Sequence, residues 1–374
     1  MADSVSTTEH VGVFSALLSS IKKVAAGVAF LCIAPLMLFM NECSSVETAK
    51  SLEEGAGLVV SVSPDAVNAG NEGKLVHTSG SAQTTETLSD PDFGVSLVAI
   101  KLDRDVEMFQ WKQEKKTKTE GSNKTTTYTY TEGWQDDLIG SDSFEEPAGH
   151  RNPASMPYED RSLTAQTVTV GAFTLSAEQI GNLSASDVYT PPTSSYTIQD
   201  GYLYLASEPS SPKVGDVRVR YKAMKPGPVS LIAKQSGSSF SSYQTDAGNS
   251  ISMIQSGTAA AADMFAAAQS ANVVMTWVLR LVGFMMIFGG LNMLIGPLRV
   301  VGERIPFIGG LFGAGMSLVT FLLAAAASLI IISLAWLTAR PLLGIVLLLL
   351  GGGAMVGAVF LVILAGRKLK AAAT

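Results

Sequence analysis

The stretch Leu311 to Thr338, LFGAGMSLVTFLLAAAASLIIISLAWLT, carries no charged residue. As a helix rising about 1.5 Å per residue it is long enough to cross a hydrocarbon layer about 30 Å thick. It lies inside an uncharged interval of 35 residues between Arg304 and Arg340. Three further intervals surround it: 26 residues between Arg340 and Arg367, 18 between Arg280 and Arg299, and 18 between Lys23 and Glu42. Four transmembrane helices are expected, at Val24 to Met40, Trp277 to Leu298, Leu311 to Thr338 and Leu342 to Ala365. A mean hydropathy of +0.30 over 374 residues, with 16% charged, agrees with this and excludes a cytosolic enzyme. The first span is short and contains Pro35. It reads as an anchor behind Lys22 and Lys23, with a cleaved signal peptide ending near Cys43 and Ser45 as the competing reading.

Lysine and arginine accumulate beside cytoplasmic span ends, because positively charged flanks resist translocation. Lys22, Lys23, Arg299, Arg304, Arg367, Lys368 and Lys370 fall on one side of the four spans, and Arg340 alone on the other. Residues 1–23 and 366–374 are therefore expected to be cytoplasmic tails. Residues 41–275 are expected to form one large extracytoplasmic or lumenal domain. Trp277 and Trp336 then both reach the outer interface, where amphipathic rings prefer to sit. Residues 41–275 hold 17 Lys and Arg against 29 Asp and Glu, a net charge of −12, within a chain of net charge −6. Such an acidic exterior stays soluble and does not suit nucleic acid, whose phosphates need neutralising. Of the two cysteines, Cys32 lies within the first span and Cys43 just beyond it, so the exterior domain has no disulfide of its own and needs a core of its own.

Alternation of apolar with polar residues marks strands in that domain, making it β-rich with few helices, an α+β body. Val217-Arg218-Val219-Arg220-Tyr221, Thr127 to Thr131, Lys74 to His77, Gly201 to Leu205 and Val229 to Ala233 all read as strands. Val95 to Leu102 reads as a central strand that resumes at Val106 to Trp111 after a charged break at Asp103 to Asp105. Ser176 with Gln179 matches a capping box opening a short helix through Leu183. Ser45 to Leu58 is expected to continue the first span outward, and the alanine-rich Thr258 to Ala271 to lead into the second. Gln235 to Asn249, rich in Ser and Gly, is the candidate mobile loop.

Chemistry-bearing patterns are sparse. His77 and His150 come without the partners a zinc site needs, and Asp90-Pro91-Asp92 lacks calcium-loop spacing and reads as a turn. No nucleophile elbow or phosphate-binding glycine loop follows an expected strand. No catalytic residue, metal or cofactor is therefore assigned. Arg218, Arg220 and Lys222 share a strand face and read as cations paired with nearby carboxylates. Within the bundle, Asn292 is expected to hydrogen-bond to another helix or a second subunit. Gly309 with Gly313, and Gly353 with Gly357, are small-xxx-small pairs for helix packing or self-association.

Asn41-Glu42, Asn71-Glu72-Gly73-Lys74-Leu75-Val76-His77, Leu88-Ser89-Asp90-Pro91-Asp92-Phe93-Gly94-Val95, Val106-Glu107-Met108-Phe109-Gln110-Trp111, Gly149-His150-Arg151-Asn152-Pro153, Val214-Gly215-Asp216-Val217-Arg218-Val219, Gly290-Leu291-Asn292 and Arg340-Pro341 occur in that order. Together they resemble the transmembrane protein 43 family, also called LUMA. The resemblance implies a four-pass membrane protein with a large lumenal loop. It implies self-association and, in eukaryotic relatives, a place in the endoplasmic reticulum and inner nuclear membrane, organising envelope proteins such as lamins and emerin. A bacterial member would lie in the inner membrane. The function expected is a membrane scaffold with membrane lipids, further copies of itself and other membrane or envelope proteins as partners. The alternatives are a membrane-surface enzyme, a lipid-handling protein or a subunit of a transport complex.

Overall fold

The computed structural model describes residues 3–120, 123–192, 195–205, 208–297 and 309–372. Among the described residues there are five α-helices: α1 (Val13–Leu58), α2 (Ala177–Asn182), α3 (Ala261–Leu294), α4 (Gly309–Ala339) and α5 (Pro341–Ala372). All but α2 are long and apolar enough to cross a membrane. The chain is thus a membrane protein with four such helices and a large β-rich domain. It divides into two compact units, one essentially the β domain and the other essentially the long helices.

Within the helical unit, α1 runs unbroken past Pro35, whose missing N–H costs the helix one internal hydrogen bond. Helix α3 joins the alanine-rich segment to the second span without interruption. Ala34 and Leu38 of α1, Ile287 of α3 and Ala324 of α4 form a buried apolar cluster. Gly27 and Gly290 bring α1 and α3 together: a Cβ on Gly27 would meet Met293 Cβ at 2.8 Å and the Gly290 carbonyl at 2.9 Å. Gly344 and Gly351 seat α5 on α4 in the same way. The loop from Arg299 to Phe307, on which the cytoplasmic assignment partly rests, lies outside the described residues.

The β domain holds two main sheets. The first runs Asp3–His10, Asn123–Gln135, Lys101–Glu120, Val217–Met224, Tyr202–Tyr204, Thr197–Gln199, with two short strands off this path. The second is centred on Leu75–Gln83 paired with Gly227–Ser236. Pro226 separates Val217–Met224 from Gly227–Ser236, which belong to different sheets. Each sheet has its own core, one around Val106, Met108, Leu203, Val219 and Tyr221, the other around Val76, Val170, Phe173, Leu231 and Phe240. Helix α2 has both capping-box hydrogen bonds between Ser176 and Gln179.

Two sequence expectations change. Asp103 to Asp105 is not a break but lies near the start of the 20-residue strand Lys101–Glu120. The charges are tolerated because Asp103 and Asp105 lie on the half-exposed face, opposite Lys222 and Arg220, while Arg104 points inward to a buried carboxylate. The Ser/Gly-rich segment from Gln235 is an ordered pair of turns: Ser239–Ser241 returns along Gly227–Ser236, and Tyr243–Gln244 pairs with Ser250–Ile251. Phe240 anchors it by stacking on Phe173, with centroids 4.8 Å apart. Gly237, at φ 59°, supplies a backbone conformation that a residue with a Cβ adopts only at a cost. Within the expected N-terminal tail, Asp3–His10 forms an edge strand beside Asn123–Gln135. A bilayer between residues 1–23 and 41–275 would part these two strands, since inter-strand hydrogen bonds need neighbours within 5 Å.

Candidate functional site

The helical unit carries a polar ladder that is costly in a low-dielectric setting. Asn272, Thr276 and Arg280 recur every four residues and so share one face of α3. Opposite them on α1 are Asn41, Glu42 and Ser45. Asn272 Nδ2 donates to the Ser45 carbonyl at 2.9 Å, Thr276 Oγ1 donates to Ser45 Oγ at 2.7 Å, and Asn41 Nδ2 donates to the Thr276 carbonyl at 3.3 Å. Below them Arg280 clasps Glu42 with two bonds, Nε to Oε1 at 2.6 Å and Nη2 to Oε2 at 2.7 Å. From α4, Trp336 Nε1 adds a third donor to Glu42 Oε2 at 2.6 Å. Glu42 is 0% exposed.

The bidentate geometry and the indole N–H satisfy the carboxylate, which is the condition for keeping a charge buried. Arg280 also lies over the Trp277 ring at 4.7 Å, and Arg340 over the Trp336 ring at 5.6 Å. Through these three donors Glu42 ties α1 to α3 and α4. Sequence reading saw Glu42 only as the residue closing the first span. The available signal was the lone arginine, Arg280, inside the span expected from Trp277 to Leu298, which in a membrane demands an acidic partner.

In the β domain the Asp90 turn is organised around a buried ion cluster. Asp90 is 1% exposed. It accepts from Arg104 Nη1 at 2.8 and 3.0 Å and from Tyr221 Oη at 2.5 Å. Arg104 also donates to Asp92 Oδ2 at 2.7 Å and, through Nε and Nη2, to the Glu159 carbonyl. Burial opposes the charged guanidinium, but the Asp92 and Asp90 carboxylates outweigh it and hold the Arg104 pKa above its usual value. Burial first, and then the Asp90 carboxylate, push the Tyr221 phenol well above the ordinary tyrosine range, so it stays a neutral donor. Asp90 is thereby engaged as a structural acceptor.

His77 and His150 sit in separate clusters. His77 Nε2 donates to the Ala259 carbonyl at 2.9 Å, beside Ser61 and Ser79. His150 stacks on Tyr130 with centroids 3.9 Å apart, meets the edge of Trp111, and donates from Nδ1 to the Glu146 carbonyl at 2.9 Å. The strand-face cations are paired as expected: Arg218 with Glu107, and Arg220 and Lys222 with Asp105. Tyr202 and Trp134 flank the Arg218 guanidinium, at 4.0 and 4.5 Å.

The residues selected for helix association divide. The described hydrogen bond of Asn292 runs from Nδ2 back to the Phe288 carbonyl of its own helix, at 2.8 Å. Gly309 opens α4 and Gly313 follows within it, but their surroundings lie outside the described residues. Gly353 and Gly357 lie on α5 with no atom of the described residues within 4 Å of where a Cβ would be. Close intrachain approaches instead use Gly27, Gly283, Gly290, Gly344 and Gly351. Gly283 and Gly290, seven residues apart and so on one helix face, are the signal that a search for four-residue spacing misses.

Comparison with known proteins places this architecture. The family model described as Transmembrane protein 43 matches residues 108–341. Transmembrane protein 43 of Mus musculus is 35% identical over 328 residues, covering 82% of this chain and 82% of its own length. That of Homo sapiens is 34% identical over 329 residues with the same coverage, and the Drosophila melanogaster homolog is 31% identical over 331 residues, 84% of this chain and 88% of its own. No solved structure matches. A four-helix membrane unit, a large β-rich domain and this extent of identity have one reading: the chain belongs to the transmembrane protein 43 family.

Proposed function

We propose that this protein is a membrane scaffold that self-associates through α5 and presents its acidic β domain to other membrane or envelope proteins. The supporting observation is the contrast among the bundle glycines. Gly344 and Gly351 are filled by α4, whereas Gly353 and Gly357, four residues apart, are open, among exposed Leu349, Val356 and Phe360. In lipid there is no hydrophobic force between helices, so close backbone approach at small residues is a main source of association. In this reading both termini face the cytoplasm and residues 41–275 face the periplasm or an organelle lumen. The host membrane is a bacterial inner membrane or, in a eukaryote, the endoplasmic reticulum and inner nuclear membrane. An enzymatic or lipid-handling role is less well supported, because Asp90, His77 and His150 are each engaged by neighbouring groups.

Chemical cross-linking in native membranes tests this reading. The intact chain should give dimers or larger species, and Gly353→Leu with Gly357→Leu should reduce them at least several-fold while leaving thermal unfolding of the detergent-solubilised chain unchanged. Recovery of monomer alone from the unmodified chain would overturn it.

A further inference from the structure

The N-terminal strand poses a physical conflict that itself points to a binding site. Asp3–His10 adds to the edge of the Asn123–Gln135 strand. Ser6 Oγ lies 2.9 Å from Thr127 Oγ1, and Thr8 Oγ1 lies 3.1 Å from Thr125 Oγ1, which fixes an antiparallel register. In that register Val5 faces Tyr128 and Asp3 faces Tyr130. Val5 packs against an aromatic cluster of Tyr128, Tyr130, Phe144 and Trp111. The Asp3 carboxylate lies 3.5 Å from His150 Nε2, and Glu9 lies 3.6 Å from Lys124. Val5 is the one half-buried residue of the strand and the others are exposed. The strand therefore holds by backbone pairing, one apolar anchor, an imidazole–carboxylate contact at one end and a lysine–glutamate ion pair at the other.

Once α1 spans a bilayer with its amino end cytoplasmic, residues 3–10 cannot reach this edge. The aromatic cluster, His150 and Lys124 remain on the outer side. Strand edges with a side-chain pocket are the standard receptors for extended peptides, backbone pairing giving affinity and alternate side chains giving specificity. We infer that the Asn123–Gln135 edge is a strand-addition site for an extended segment of a partner protein on the outer face. The preferred pattern has an acidic residue, a β-branched apolar residue two positions on, and a second acidic residue four positions after that, in a Ser/Thr-rich setting. The His150 imidazole N–H and the Lys124 ammonium are complementary to those acidic residues, and the chain's own residues 3–10 display the fit. This inference uses the orientation given under Proposed function but not the self-association.

The probe is the labelled peptide DSVSTTEH, titrated by fluorescence anisotropy. In detergent, where no bilayer separates the termini, the chain lacking residues 1–12 should bind it saturably, and the peptide with its valine changed to aspartate should bind at least tenfold more weakly. In proteoliposomes with the β domain outward, the full-length chain should bind the peptide as the shortened chain does. Absence of saturable binding to the shortened chain, or equal binding of the aspartate peptide, would overturn the site. Binding to the shortened chain but not to the full-length chain in liposomes would show that the own strand stays docked, overturning both the partner assignment and the orientation. Cross-linking through α5 would be unaffected by either failure.

Discussion

Glu42 shows how much a single carboxylate can decide in a membrane bundle. Removing one member of a buried pair leaves the other charge without compensation, typically costing about 3–5 kcal/mol, whereas removing both costs far less. Glu42→Gln should therefore markedly lower the midpoint of thermal unfolding in detergent, and adding Arg280→Gln should restore more than half of the loss. Strictly additive losses would show that the two residues are not coupled. Tyr221 makes a comparable case in the β domain, with pH as the readout. Its folded pKa is raised above the ordinary 10.0, so its stabilising contribution is full below pH 10 and is lost as pH climbs from there towards the folded value, because only the unfolded chain ionises readily. Tyr221→Phe should cost about 1–3 kcal/mol at neutral pH through the donor lost to Asp90. It should also flatten the alkaline fall in stability, measured by denaturant titration at several pH values above 10; an unchanged slope would remove Tyr221 as its source.

At the scale of elements, the long helices owe their existence to composition and their neighbours to glycine. Helices α3, α4 and α5 are apolar nearly all round, so no amphipathic stripe says which face meets which helix. Gly27→Val tests the α1–α3 contact, since its Cβ would collide with Met293 and the Gly290 carbonyl; the overpacking should cost about 1–3 kcal/mol in detergent unfolding. A variant as stable as the parent would show that this approach is not close. The strands were legible wherever one face is wet: Val217 to Tyr221 alternates because Val217, Val219 and Tyr221 go inward and Arg218 and Arg220 stay on the half-exposed face. Reading failed at Asp103 to Asp105 because a charge pairing across strands looks, in one dimension, like a charge in a loop. It failed at Gln235 to Asn249 because Ser and Gly suggest flexibility while Phe240 supplies burial.

For the molecule as a whole, the four uncharged stretches follow from the sequence alone, since hydrocarbon selects against charge residue by residue and needs no tertiary information. The β-rich character of the intervening domain was equally legible, because alternation is a local pattern, and the order of short motifs was enough to bring the family into view. What only the tertiary structure decided is pairing. It joined Glu42 to Arg280 and Trp336 across 238 and 294 residues of sequence, and Asp90 to Tyr221 across 131. It also filled some bundle glycines while leaving Gly353 and Gly357 open, and laid Asp3–His10 along a strand more than a hundred residues away. Each of these depends on which surfaces meet in space, and a hydropathy pattern with a period of two or of 3.6 residues records which face is buried but not what buries it.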